Sequence, residues 1–366
     1  MLGVNHRHQA RDGDVIELGV AAGFPIVVEI GVHHGPITGI AATADGTRLL
    51  VANHARDTVS VIDTETCRVV RTVPGFGEPF ALAVGGRDSN RAYVSSVAPA
   101  YDSIAVIDVP TNSVVATHPL ALSVSDLAAS PDGRYVYAGR NGAGGADVAV
   151  LDTKTGDVKE VAWANRPGTT TACVRTSSDG GRLYVATNGP AGGQLVLVDT
   201  RTPARSRAIG TVEIGLPIRD VALSPNGAIA YVVSCAPESG AVFDVVDTRT
   251  AKVTGTRKIS EIGGIVTGLS LSGDGDRAYV VSDDGITVLC TLTHDVVGTI
   301  GVANQPSCVV ESADAKYLYV ADYSGTVTVA PVASIVVLGI ETSVPERETA
   351  TDWVAPELPR CEPALA

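Results

Sequence analysis

The chain of 366 residues has little of what most folds are built from. It has no stretch of 18 or more apolar residues, so no segment reads as a membrane-spanning helix. It has no long run with a 3.6-residue apolar period and caps, which removes helical bundles and alternating α/β folds. Only two tryptophans occur, Trp163 and Trp353, so repeats ending in Trp-Asp are excluded. The six cysteines, Cys67, Cys173, Cys235, Cys290, Cys308 and Cys361, form no C-x-x-C pair. Zinc ribbons, redox dithiols and c-type haem attachment therefore lack support. Cys173 and Cys308 occupy one equivalent place between apolar neighbours, and the cysteines are expected to be buried free thiols suited to a reducing compartment. Only 18% of residues are charged.

What is present is a period. An Asp or Asn is followed five residues later by Tyr or Leu heading a Val-rich segment, at Asp45/Leu50, Asp88/Tyr93, Asp132/Tyr137, Asp179/Tyr184, Asn226/Tyr231, Asp274/Tyr279 and Asp314/Tyr319. The second members are spaced by 43, 44, 47, 47, 48 and 40 residues. A repeat near 45 residues filled with short alternating strands predicts an all-β, seven-bladed β-propeller with four antiparallel strands per blade. Glycine (39) and proline (20) suit the many tight turns such a ring needs. The expected organisation is an N-terminal arm (1–24), the propeller (25–332) and a Pro/Glu-rich tail (333–366).

One repeat shows the local logic. SDLAAS (125–130) is strand a, with small side chains for the crowded centre, and Pro131-Asp132-Gly133 is the a–b turn. RYVYAG places Tyr137 to pack between sheets, and DVAVLD (147–152) is strand c. The strand-c ending recurs as VIDTET, VIDVPT, LDTKTG, LVDTRT and VVDTRT. These Asp residues tempt as catalytic acids, but recurrence at one structural place assigns them to turn amides. Blades six and seven lose the motif at Cys290 and Pro331. FPIVVEIGVHHGP (24–36) resembles the strand-d-to-a joints TIGVANQP and TVEIGLP, so the N-terminal strand is expected to complete blade seven. The alternative fourth strand is IVVLGI (335–340).

The segments RAYVSS, RLYVATN, YLYVAD and SPDGRYVYAG, with the joints GEP, GLP and NQP, resemble the YVTN family of propeller repeats. Over about residues 26–332 the chain looks like a YncE-like protein. That resemblance implies a binding or scaffold propeller and carries no catalytic motif.

Net charge is −13 and the pI near 4.9, which disfavours nucleic acid and anionic membranes as partners. The polar start MLGVNHRHQARDG is no standard signal peptide, so a cytoplasmic protein is expected, or an extracytoplasmic or envelope-associated one if the start is misassigned; a monomer is expected. Its partner would be a protein, peptide or small ligand held on the face carrying the b–c and d–a loops. Blades two to five carry the longer b–c lips. No cofactor is expected. Candidate ligand-binding residues on that face are His33, His34, His54, Arg56, Glu78, Arg140, Arg166, Arg219 and Gln305. Four of these are arginines that would make a positive funnel in an acidic protein. His33, His54 and Glu78 are candidate ligands for a divalent metal. Asp126 and Asp220, near the axis, either bind a ligand in the channel or cap a neighbouring blade. The alternative function is a metal-assisted hydrolase of the propeller-lactonase kind.

Overall fold

A computed structural model describes residues 15–17, 28–32, 35–86, 90–97, 101–121, 123–161, 163, 166–236, 240–302 and 304–332. Seven antiparallel sheets follow one another along the chain, and the only described helices are two single 3₁₀ turns, His54–Arg56 and Pro203–Arg205. The chain forms a seven-bladed β-propeller. In each blade strand a is innermost, and strand d is outermost in all but the blade that closes the ring. The strand-a segments are Ile37–Ala42, Leu82–Val84, Ser123–Ala129, Thr170–Thr176, Ile218–Leu223, Val266–Leu271 and Pro306–Glu311.

The turn chemistry repeats around the ring. Asp45 accepts hydrogen bonds from the Thr43 hydroxyl at 2.6 Å and the Thr47 amide at 3.0 Å, while Gly46 supplies the left-handed residue (φ 71°). Asp132, Asp179, Asn226, Asp274 and Asp314 do the same with their own Ser partners. Asp88 lies outside the described residues. The strand-c aspartates Asp63, Asp108, Asp152, Asp199 and Asp247 accept from amides two or three residues on, as turn acids.

The core lies between blades. Leu50, Val59, Val61, Val73 and Phe76 of the first blade pack against Ala92, Val94, Ala105 and Ile107 of the second. Tyrosines bridge these seams: the Tyr93 hydroxyl donates to the Gly133 carbonyl (3.1 Å) and Tyr279 to Glu311 (2.7 Å), each in the next blade.

The ring closes with early and late chain together. Val28–Gly31 pairs antiparallel with Thr326–Pro331, as the joint motif predicts. Ile30 and Val32 then join Tyr319, Val327 and Val329 in one cluster with Leu49, Val51 and Ile62 of blade one. Val15–Glu17, within the expected N-terminal arm, pairs with Val28–Ile30 as a fifth, outermost strand. IVVLGI (335–340), Trp353 and the rest of the tail lie outside the described residues.

Two further expectations are corrected. The b–c lips of blades three and four are extensions of the ladder: Tyr135–Gly142 pairs with Gly145–Asp152 and Arg182–Gly189 with Gly192–Asp199 to the last residue. Alternation continues through those Gly-rich stretches because glycine at φ 111° (Gly145) and 109° (Gly192) lets the hairpin turn tightly. Cys290 is disulfide-bonded, whereas Cys67, Cys173, Cys235 and Cys308 are free thiols. Cys361 lies outside the described residues.

Candidate functional site

Six of the seven innermost strands slip register by one residue as they enter the ring. The slips fall between Ile37 and Gly39, Val124 and Asp126, Thr171 and Cys173, Ile218 and Asp220, Val266 and Gly268, and Pro306 and Cys308. A bulge leaves one extra residue out of the ladder and re-aims it. The residues so displaced are Thr38, Ser125, Ala172, Arg219, Thr267 and Ser307. All six line one axial cavity of about 600 Å³. The following residues, Gly39, Asp126, Cys173, Asp220, Gly268 and Cys308, line it too.

Within this cavity Arg175 holds the two aspartates. Its Nη1 donates to Asp126 Oδ2 and its Nη2 to Asp220 Oδ1, both at 2.5 Å, and its Nε donates to the Val221 carbonyl at 2.9 Å. Asp126 also accepts from the amides of Leu127 and Val174, and Asp220 from those of Val221 and Leu269. Every oxygen of both carboxylates is therefore engaged. Val174 belongs to blade four and Leu269 to blade six, so each aspartate caps its neighbouring blade. Burial raises the Asp126 carboxyl above the usual range, with the Arg175 charge opposing it.

The thiols that share the cavity are poor nucleophiles. Burial pushes Cys308 up to about 12 and Cys173 well above its ordinary value, so both stay protonated near neutral pH. Arg219 is the exception to this saturation. It lines the cavity, is exposed, and has no ion-pair or hydrogen-bond partner for its side chain among the described residues.

The rim divides differently from the sequence expectation. Arg140 does not contribute to a positive funnel. Its side chain is 2% exposed and pairs with Asp147 at 2.7 Å and Glu160 at 2.8 Å across its own blade. Arg56 and Arg166 are exposed on the b–c and d–a connections, as expected. Asp57 Oδ1 accepts the Glu78 amide at 2.9 Å, stitching the blade-one b–c connection to the next joint, and Glu78 is held left-handed at φ 38°. The Gln305 carbonyl accepts the Tyr323 amide at 3.2 Å. His54 Nδ1 is buried without a hydrogen-bond partner among the described residues. His33 and His34 lie outside the described residues. Among the described residues no three of His, Cys, Asp and Glu gather as a group able to hold a metal ion. The same end exposes large apolar side chains: Phe80 (46%), Tyr101 (51%), Ile265 (57%) and Tyr323 (42%).

No family model matches the chain. A protein of Mycobacterium tuberculosis, the seven-bladed beta-propeller protein Rv1057, is 55% identical over 386 aligned residues, covering 98% of this chain and 97% of the relative. The chain belongs to the family of that seven-bladed propeller. Among solved structures, Kuenenia stuttgartiensis hydrazine synthase aligns with a TM-score of 0.73 at 20% identity, over 86% of this chain and 100% of that one. That likeness is one of fold alone.

Arg175 is the residue that the sequence reading missed. Four positions before the first-turn Asp or Asn, the other six repeats carry Ala41, Val84, Ala128, Ala222, Ser270 and Val310. A lone arginine among small residues at the narrowest part of the ring was the available signal.

Proposed function

We propose that the chain is a non-enzymatic binding propeller that holds a protein or small-molecule ligand on the end formed by the b–c and d–a connections. The observation that carries this reading is the composition of that end. Phe80 and Arg219 line a cavity of about 600 Å³, and the connections of the same end expose Tyr101, Ile265, Tyr323, Arg56 and Arg166. Aromatics and arginine are the side chains that dominate recognition surfaces. The carboxylates and thiols of the cavity are by contrast held by Arg175 or kept protonated, which leaves no obvious general base. The likeness of the repeats to YVTN, YncE-like propellers fits the same role.

The test compares two ends of one ring. Phe80→Glu with Tyr323→Glu alters the loop end, and Leu292→Glu with Tyr317→Glu alters exposed residues of the opposite turns. Capture from an extract of the source cells, together with native mass spectrometry for co-purifying small molecules, should lose its specific partner only in the first variant. Capture that survives the first variant and fails in the second places the working surface on the other end. Recovery of no reproducible partner or ligand by the intact protein overturns the reading.

A further inference from the structure

We propose that the mouth of the axial cavity is a site for a small organic carboxylate that also carries hydroxyl or ammonium hydrogens. This rests on the binding role proposed above and names the ligand chemistry.

The anionic half of the requirement comes from Arg219. It stands next in sequence to Asp220, yet Asp220 pairs with Arg175 and not with it. Both Asp220 oxygens already accept hydrogen bonds, from the Val221 amide, the Arg175 guanidinium and the Leu269 amide. The bulge that separates Arg219 from Asp220 in the ladder gives the arginine its own direction into the cavity. A guanidinium presents its donors as a planar fork that matches a carboxylate with two parallel bonds. With Arg175 balanced against one aspartate and Arg219 against the other, the four charged groups of the cavity cancel. A ligand bearing a single negative charge therefore meets no local excess of like charge.

The second half comes from the hydroxyls at the same bulge position in other blades. Thr38 donates to the Pro79 carbonyl (2.9 Å), Ser125 to Gly139 (3.1 Å), Thr267 to Val281 (3.4 Å) and Ser307 to Ala321 (3.2 Å). A hydroxyl has one hydrogen to give. Thr38 gives it to the joint entering blade two and the other three give it to their own blades, so toward the cavity each offers lone pairs. The mouth thus has one strong donor fork and several neutral acceptors. An anion lacking hydrogens satisfies only the arginine, and a neutral polyol satisfies only the hydroxyls. A hydroxy acid, sugar acid or amino acid satisfies both. The cavity of about 600 Å³ lies within the ordinary range for small-molecule sites.

The experiment is calorimetric titration of the full chain with matched probes: gluconate, lactate and serine, against sorbitol (neutral, hydroxyls kept) and hexanoate (carboxylate, hydroxyls removed). At least one hydroxy- or amino-carboxylate should bind at least about tenfold tighter than both controls. Arg219→Ala should weaken it about tenfold or more, the loss expected for a charge-assisted pair, with an unchanged melting temperature. Arg219→Lys should recover part of the affinity. Thr38→Val and Thr267→Val should weaken gluconate while leaving hexanoate unaffected. The proposal is overturned if no carboxylate of the panel outbinds its neutral or hydrogen-free control, or if Arg219→Ala binds it like the parent. Sorbitol binding unaffected by Arg219→Ala would remove the carboxylate and keep the binding end. Loss of the paired-end difference described above would remove the binding end itself, whatever the titrations give.

Discussion

Arg175, on the innermost strand of blade four, meets Asp220, on the innermost strand of blade five, at 2.5 Å across 45 residues of sequence. The same guanidinium meets Asp126 on blade three, and the aspartates in turn take amides from blades four and six. One charged cluster therefore ties four consecutive blades together at the axis. Hydrophobic seams join only adjacent pairs, so the cluster supplies a longer connection than packing alone gives.

Replacing Arg175 by Met should leave two carboxylates facing a narrow cavity with no cation between them. Breaking a partly exposed pair of this kind costs on the order of 2 kcal/mol, below the figure for a fully buried one. The sign with pH is also fixed. Without Arg175, burial and the neighbouring Asp220 charge raise the folded-state pKa of Asp126 further above its unfolded value. A carboxyl whose folded pKa is raised stabilises the fold at low pH and loses that contribution as pH rises through the folded value. The variant should thus lose more stability against the parent at pH 8 than at pH 5. Denaturant melts at both pH values check this, and an equal deficit at both would contradict it.

The turn acids set the opposite trend in the parent protein. The Thr43 hydroxyl holds Asp45 low, the Thr111 hydroxyl holds Asp108 low, and the Thr250 amide holds Asp247 low. The Arg201 side chain brings Asp199 down to about 2. A carboxyl whose folded pKa is depressed stabilises the fold above its unfolded value, about 4, and that contribution is lost as pH falls through the folded one. Stability should fall between about pH 4 and about pH 2. Asp45→Asn with Asp108→Asn should flatten that fall, as read by thermal melts across the range.

Removal of residues 1–32 should act on the whole ring. It takes away the strand Val28–Gly31 and with it Ile30 and Val32, which are buried in the seam between blades seven and one. Each such side chain contributes about 2 kcal/mol on burial, and the deletion also exposes the ladder groups of Thr326–Pro331 as an open edge. The truncated chain should melt at markedly lower temperature and associate on light scattering. A truncated chain with the parent's melting curve would show that closure does not depend on this strand.

The ring, its period and its closing joint were legible because their causes are local. Asp45, Asp132 and Asp179 make their bonds within a few residues, so spacing alone exposes them. Asp126 and Asp220 were legible as possible caps from their place near the axis. Their partner was not, because Arg175 reaches them across blades, and contacts between blades leave no mark on spacing within one. Arg140 was misread for a different reason. Glycines in the blade-three b–c lip, GRNGAGGAD (139–147), suggest a loop, but the hairpin continues, and register then sets Arg140 directly opposite Asp147. The ladder brings together what the composition seemed to separate.

That pairing makes Arg140 a structural residue with a testable signature. Its guanidinium donates through Nε and Nη2 to both oxygens of Asp147 and through Nη2 to Glu160, from a side chain shielded from solvent. Arg140→Ala would bury the Asp147 carboxylate without its cation, and breaking such a pair costs about 3 kcal/mol. Arg56 and Arg166 are exposed with no ion pair to another described residue, so Arg56→Ala and Arg166→Ala should stay within about 0.5 kcal/mol of the parent. Denaturant melts of the three variants separate the groups. Asp147→Asn in the Arg140→Ala background should recover part of the loss, since it removes the uncompensated charge. A neutral Arg140→Ala would return that arginine to the rim and restore the broad positive funnel that the sequence suggested.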